Sequence, residues 1–200
     1  MSRLLIGNFD FEHTLAWGAE RQAAAALSRI VAELAPLWVA AGQAGDVLWC
    51  PEPLEPGFFA QMRADGLPQL RAVAQEGDVP GGLRLVPWGW TDDVVCWGRR
   101  VGAIIDAPPL DVVRTVNSRR FSHQLEQRWG LALAGSAVVD SVASLLAAIE
   151  RLPVPEGGWV VKAEFGNASR ERFLHRGDDR TGAYNRQPVS GRVSSEAQGP

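Results

Sequence analysis

From Arg3 to Val101 the chain alternates short apolar runs with stretches of helical spacing, and that alternation limits its fold more than any single motif. Arg3-Leu4-Leu5-Ile6-Gly7 is an apolar run that ends in glycine. Between Glu20 and Leu37 the apolar residues Leu27, Ile30, Val31, Leu34 and Leu37 recur at helical spacing, so a strand followed by a helix is predicted. Val47-Leu48-Trp49-Cys50 reads as a second strand, stopped by Pro51 and Pro53. Helical stretches are expected over Phe58 to Ala64 and over Leu67 to Gln75, with Gly77 as the C-terminal cap of the latter. The run Leu83-Arg84-Leu85-Val86 ends at Pro87. Thr91-Asp92-Asp93 then supplies a capping hydroxyl and first-turn acids for a helix carrying Val94, Val95, Trp97 and Val101. Strands that alternate with helices make a parallel α/β sheet the economical arrangement for residues 1–107, a small Rossmann-like domain.

The pair Pro108-Pro109 after Ala107 marks the border of that domain, because proline restricts its preceding residue and interrupts regular structure. Beyond it an α+β pattern runs over residues 108–173. Phe121, Leu125 and Trp129 define a helix closed by Gly130, and Ala137-Val138-Val139 is a short extended run. A second helix carries Val142, Leu145, Leu146, Ile149 and Leu152, capped by Asp140 or Ser141, and Trp159-Val160-Val161-Lys162 is the clearest strand. Residues 174–200 lack apolar runs and are rich in Gly, Ser and Arg, so this tail is expected to be disordered.

A net charge of -3 gives no broad electrostatic footprint for nucleic acid or an anionic membrane, so any anion site must be local. The first residues turn polar before a signal-peptide core forms, and no later run approaches a membrane span; a cytoplasmic location is the expectation. Cys50 and Cys96 lie beside tryptophans without a CxxC pattern or a nearby histidine, and are expected to be reduced and buried.

Lys162 is the one lysine among the 20 Lys and Arg residues. Lysine is a compact point charge and arginine a planar fork, so a single lysine at a strand end, followed by the small-residue stretch Gly166-Asn167-Ala168-Ser169, is a candidate phosphate contact. Taken alone, a solvated strand end explains it as well. The segment Val116-Asn117-Ser118-Arg119-Arg120-Phe121-Ser122-His123-Gln124-Leu125, then Trp129-Gly130-Leu131, then Trp159-Val160-Val161-Lys162-Ala163-Glu164-Phe165-Gly166, resembles the first ATP-binding subdomain of the ATP-grasp family. The resemblance covers residues 109–173 and rests on the order of elements and on about forty residues between two basic positions.

The resemblance implies ATP as the ligand. It places Arg119 at the family's first basic ATP contact, commonly a lysine, and Lys162 at the second. It lays Gly166, Asn167, Ala168 and Ser169 on the phosphate-covering loop, and residues 1–107 on the Rossmann-like domain that commonly precedes the module. ATP-grasp enzymes join a carboxylate to an amine or thiol through an acyl phosphate, and a second lobe supplies adenine contacts and the Mg²⁺ ligands. Leu174 to Pro200 are expected to be too few for that lobe, and Asp178-Asp179 is a poor clamp for Mg²⁺. A truncated product, with ATP binding no tighter than millimolar and no catalysis by this chain alone, is therefore the expectation, and an interrupted reading frame near Leu174 would account for it.

Other motifs carry less. Gly7-Asn8-Phe9-Asp10 lacks the later glycines of a dinucleotide fingerprint, no Walker A loop or G-x-S-x-G elbow occurs, and His13, His123 and His175 are scattered. These histidines read as surface or capping residues. Asp10 and Glu12 follow the first strand, where open sheets place ligands, and Trp88 and Trp90 could line a cleft. A second functional class stays open: an α/β binding or assembly module that forms a homo-oligomer or docks a protein partner.

Overall fold

The computed structural model describes residues 1–18, 25–52, 54–152, 158–166 and 172–175, with backbone alone for 25–28 and 172–175. The chain divides into two compact units. One comprises Met1–Thr14 and Gly18–Leu110, the other Leu15–Trp17 and Asp111–Pro200.

The first unit is α/β. Its strands β1 (Arg3–Ile6), β2 (Val47–Trp49), β3 (Arg71–Val73) and β4 (Arg84–Pro87) form one parallel sheet in the order β3-β2-β1-β4. Parallel strands covered on both faces read as continuous apolar runs, and β1 shows why. Leu4 packs on one face with Val47, Val73, Leu85 and Val94, while Leu5 packs on the other with Leu48, Leu70, Ala35 and Val39. The first face is covered by helix α4 (Asp92–Arg100), whose Trp97 ring lies 5.0 Å from that of Trp49. The second is covered by a 3₁₀ segment, Ala35–Ala41, and by helix α3 (Phe58–Ala64) through Phe58, Phe59 and Met62. Leu4, Leu5, Leu48 and Leu85 are essentially sealed from water, each worth roughly 1.5–3 kcal/mol of burial.

Local chemistry sets the ends of α4 as the sequence predicts. The Thr91 hydroxyl accepts from the Val94 amide at 3.3 Å, Asp92 and Asp93 occupy the first turn, and Arg99 and Arg100 the last. Helices α1 (Phe11–Trp17) and α2 (Ala25–Leu34) connect β1 to the 3₁₀ segment. Of the helix expected over Glu20 to Leu37, residues 20–24 lie outside the described ones, and the helix tightens to 3₁₀ where Pro36 enters.

The helix expected over Leu67 to Gln75 does not form. Arg71–Val73 is instead β3, paired in parallel with β2 through Val47↔Arg71, Leu48↔Ala72 and Trp49↔Val73. Short apolar runs fit either spacing, and here a free edge of β2 decides the outcome. Gly77 accordingly sits inside a 3₁₀ turn, Glu76–Asp78, rather than capping a helix.

At the carboxyl end of the sheet, the Asn8 side chain joins the loops after β1 and β4. Its Nδ2 donates to the Gly89 carbonyl at 2.7 Å, and the Gly89 amide donates to its Oδ1 at 3.2 Å. A Cβ on Gly89 would collide with the ring of buried Phe11. Gly89→Ala is therefore expected to destabilise this unit by about 1–3 kcal/mol, the usual range for overpacking, as read from a denaturant titration; an unchanged midpoint would refute the fit.

The second unit contains α5 (Leu110–Val116, its first residue in the other unit), α6 (Arg119–Trp129), α7 (Val142–Arg151) and an antiparallel pair, β5 (Trp159–Lys162) with β6 (Arg172–His175). Ser118 caps α6 by accepting from Phe121 at 3.1 Å, and Gly130 ends it in the left-handed region at φ 70°. Ser141, one of the two expected caps, begins α7 in a capping box with Ser144. Ala137-Val138-Val139 forms no ladder; among the described residues this unit's sheet holds only β5 and β6. Val139 is buried without strand pairing, so the apolar run reports burial and not a strand. Pairing in β6 continues through Leu174 and His175, past the tail border expected after Phe173.

Candidate functional site

The end of β5 and the start of α6 meet through the backbone. Arg119 is the first residue of α6, where amides have no partner within the helix. Its amide donates to the Glu164 carbonyl at 3.1 Å, and its Nε donates to the Ala163 carbonyl at 2.9 Å. Ala163 directly follows Lys162. The two basic positions singled out from the sequence, about forty residues apart in the chain, are thus tied to adjacent points of one strand end.

Lys162 is half-buried and stands opposite Arg172 in the antiparallel ladder. The Arg119 side chain is also half-buried, and its hydrogen bond among the described residues uses Nε, not the two terminal nitrogens. Next to it Arg120 bridges Asp140, and its Nε lies 3.8 Å from Glu164 Oε1. Glu164, with a side chain 17% exposed, brings negative charge close to this basic end. Neither Glu164 nor Asp140 was a candidate site residue from the sequence, where Asp140 stood only as a possible helix cap. For Glu164 a signal was present in its position two residues past Lys162; for Asp140 none was, because its contact with Arg120 is tertiary.

Phe165 anchors the chain just beyond the strand end. It is buried, and the Arg114 guanidinium lies over its ring at 4.9 Å from the centroid while donating to the Leu15 carbonyl. Gly166 is half-buried directly after this anchor. Asn167, Ala168 and Ser169 lie outside the described residues, as do Asp178 and Asp179.

Among the described residues, no three His, Cys, Asp or Glu side chains come together as a metal site would require. Two expectations on single residues change. His123 is buried in α6, with Nδ1 lacking a hydrogen bond and Glu126 Oε2 4.0 Å away, and is neither a surface nor a capping residue. Cys96 is exposed, while Cys50 is buried as expected; both are free thiols.

A cavity of about 490 Å³ lies in the first unit, between the ends of β2 and β3 and the start of α3. None of Arg119, Lys162 and Gly166, the described residues singled out as nucleotide contacts, lines it. Asp10 precedes α1 without making a side-chain cap, and Glu12 Oε2 is buried with no hydrogen bond. No helix among the described residues is long and apolar enough to cross a membrane.

No protein-family model matches the chain, and a comparison with curated proteins likewise returns no match.

Proposed function

We propose that the chain is an ATP-binding, ATP-grasp-like protein, related to ATP-dependent carboxylate ligases. The observation that supports this reading is the joining of Arg119 to the strand end just after Lys162, through the Ala163 and Glu164 carbonyls at 2.9 and 3.1 Å. Phosphate needs discrete cations and approachable backbone amides. Lys162 supplies the point charge, and the stretch Gly166-Asn167-Ala168-Ser169 supplies small residues over which phosphate oxygens can approach. Arg119 acts first as a brace: its Nε holds the strand end, and its terminal nitrogens remain for an anion. ATP and its accompanying Mg²⁺ are the ligands of this reading, and Mg²⁺ would neutralise phosphate charge when bound with the nucleotide.

Calorimetry with ATP tests it. Binding through these contacts alone should have a Kd near 1 mM, about -4 kcal/mol. Lys162→Ala should weaken binding by roughly 10- to 100-fold, the loss of one charge-assisted hydrogen bond. Equal affinity in Lys162→Ala and the parent chain would defeat the proposal.

One observation favours an assembly module as a second reading. Trp129, Leu131, Leu133, Val142 and Leu146 of the second unit are all exposed. Light scattering that finds an oligomer of the same mass with and without ATP would support that reading over the first.

A further inference from the structure

The cavity in the first unit has chemistry of its own. Its volume, about 490 Å³, falls within the roughly 300–1,000 Å³ typical of small-ligand sites. The floor is apolar and built by the sheet: Cys50 and Val73 are buried side by side, with the Cys50 amide donating to the Val73 carbonyl at 2.9 Å. One wall is the aromatic pair Phe58 and Phe59, edge to face with ring centroids 5.3 Å apart. The rim carries Glu52 and Glu55, both exposed, and among the described residues no lysine, arginine or histidine contributes to the lining.

Charge decides what such a cavity accepts. The start of α3 lies on the same wall and contributes about half a positive charge, against two full carboxylates. Neither carboxylate caps that helix by a side-chain hydrogen bond. The charge of Glu52 reaches Arg29, but Arg29 already bridges Glu33 at 2.8 Å, and that pair is neutral as a whole. The balance at the rim is negative. An aromatic wall beside it adds attraction for a cation and contact for a hydrocarbon stem.

We infer that this cavity binds a small organic cation, an ammonium carried on a short apolar stem, with the stem against Cys50, Val73 and Phe58 and the charged end between Glu52 and Glu55. Its described lining belongs to the first unit, so it stands or falls apart from the nucleotide proposal.

Cys50 on the floor makes the charge measurable. Burial pushes its thiol pKa up, so it reacts slowly with any reagent, but the ratio of two reagents of equal size cancels the thiolate fraction. In a Cys96→Ser protein, the cationic trimethylammonioethyl methanethiosulfonate should outpace the anionic sulfonatoethyl reagent at Cys50. After division by the same ratio for free cysteine, the excess should be about tenfold or more, shrinking as salt is added. Glu52→Gln with Glu55→Gln should bring it close to one while leaving the circular dichroism and melting curve unchanged, since both side chains are exposed. n-Butylammonium should protect Cys50, and n-butanol should not.

A ratio equal to that of free cysteine, or one that survives the double glutamine substitution, overturns the inference. So does equal protection by n-butanol, which would mean a merely apolar groove. If Cys50 reacts with neither reagent, n-butylammonium must still shift the ring resonances of Phe58 and Phe59 saturably; the absence of that shift also overturns it.

Discussion

Trp159→Ala should cost the second unit about 3–5 kcal/mol, the range for emptying an aromatic site in a core. Trp159 opens β5 and is 1% exposed, the largest fully buried side chain among the described residues. The loop at Gly135 rests on the ring: a Cβ placed there would lie 3.4 Å from the indole edge. Trp159→Phe separates volume from polarity. The indole Nε1 is buried with no hydrogen bond among the described residues, and leaving such a donor unpaired costs about 1–3 kcal/mol. Phenylalanine removes that donor while keeping most of the apolar area, so it should cost less than about 1.5 kcal/mol. Because the chain has two units, a single global transition is a poor gauge, and amide exchange at Val160 and Val161 is the direct readout. Protection that survives Trp159→Ala would mean that this side chain does not hold β5 in place, and with it the position of Lys162.

The second large effect belongs to Asp46 in the first unit. Its side chain is 3% exposed and receives the Arg3 amide and Arg3 Nε at 2.9 Å each, the Arg3 Nη2 at 2.5 Å, and the Gln43 amide at 2.9 Å. Burial by itself would raise the carboxyl pKa, but the hydrogen bonds from Arg3 and Gln43 outweigh it and hold the group below its ordinary value. Asp46→Asn leaves the Arg3 guanidinium facing an amide and should cost about 3 kcal/mol at neutral pH, the lower end for breaking a buried pair, since Arg3 is partly exposed.

The pH dependence follows from the direction of the shift. A depressed folded pKa means that the unfolded chain takes up its proton first, so the stabilisation is whole above the ordinary carboxylate value of about 3.9 and drains away as pH falls through the lower folded value. The stability gap between the parent chain and Asp46→Asn should therefore close on acidification below about pH 4. A gap that stays constant down to acid unfolding would show that charge is not what Asp46 contributes.

Glu76 and Arg100 make a useful contrast. Their two hydrogen bonds, at 2.9 and 2.7 Å, lower the Glu76 pKa and raise that of Arg100, yet both groups are open to solvent. Screening and side-chain entropy leave an exposed pair little influence on stability, so neutralising Glu76 should matter less than neutralising Asp46.

Elements whose cause is local were legible from the residues alone. The alternation of apolar runs and helical spacing was enough for a parallel sheet with β1, β2 and β4, because a strand buried on both faces must be apolar throughout. The caps Thr91 and Ser141 and the terminal Gly130 stand where their hydroxyls and the left-handed backbone permit, since a cap interacts with amides three residues away. Lys162 ends its strand as its neighbours required.

The outcomes that depend on a partner distant in sequence were settled only by the tertiary structure. Arg71–Val73 became a strand because β2 offered an edge, and Ala137–Val139 stayed irregular because no edge met it. His123 was drawn into the interior of the second unit, against the habit of its residue type, and Cys96 was left at the surface. The same holds for the site: that Arg119 reaches the Ala163 carbonyl, that Glu164 approaches Arg120, and that Glu52 and Glu55 face a cavity floored by Cys50 and Val73 are outcomes of chain packing. Periodicity and capping act over a few residues and are written in order along the chain. Contacts between distant segments depend on which faces remain to be buried once those local choices are made, and that information is spread over the whole sequence.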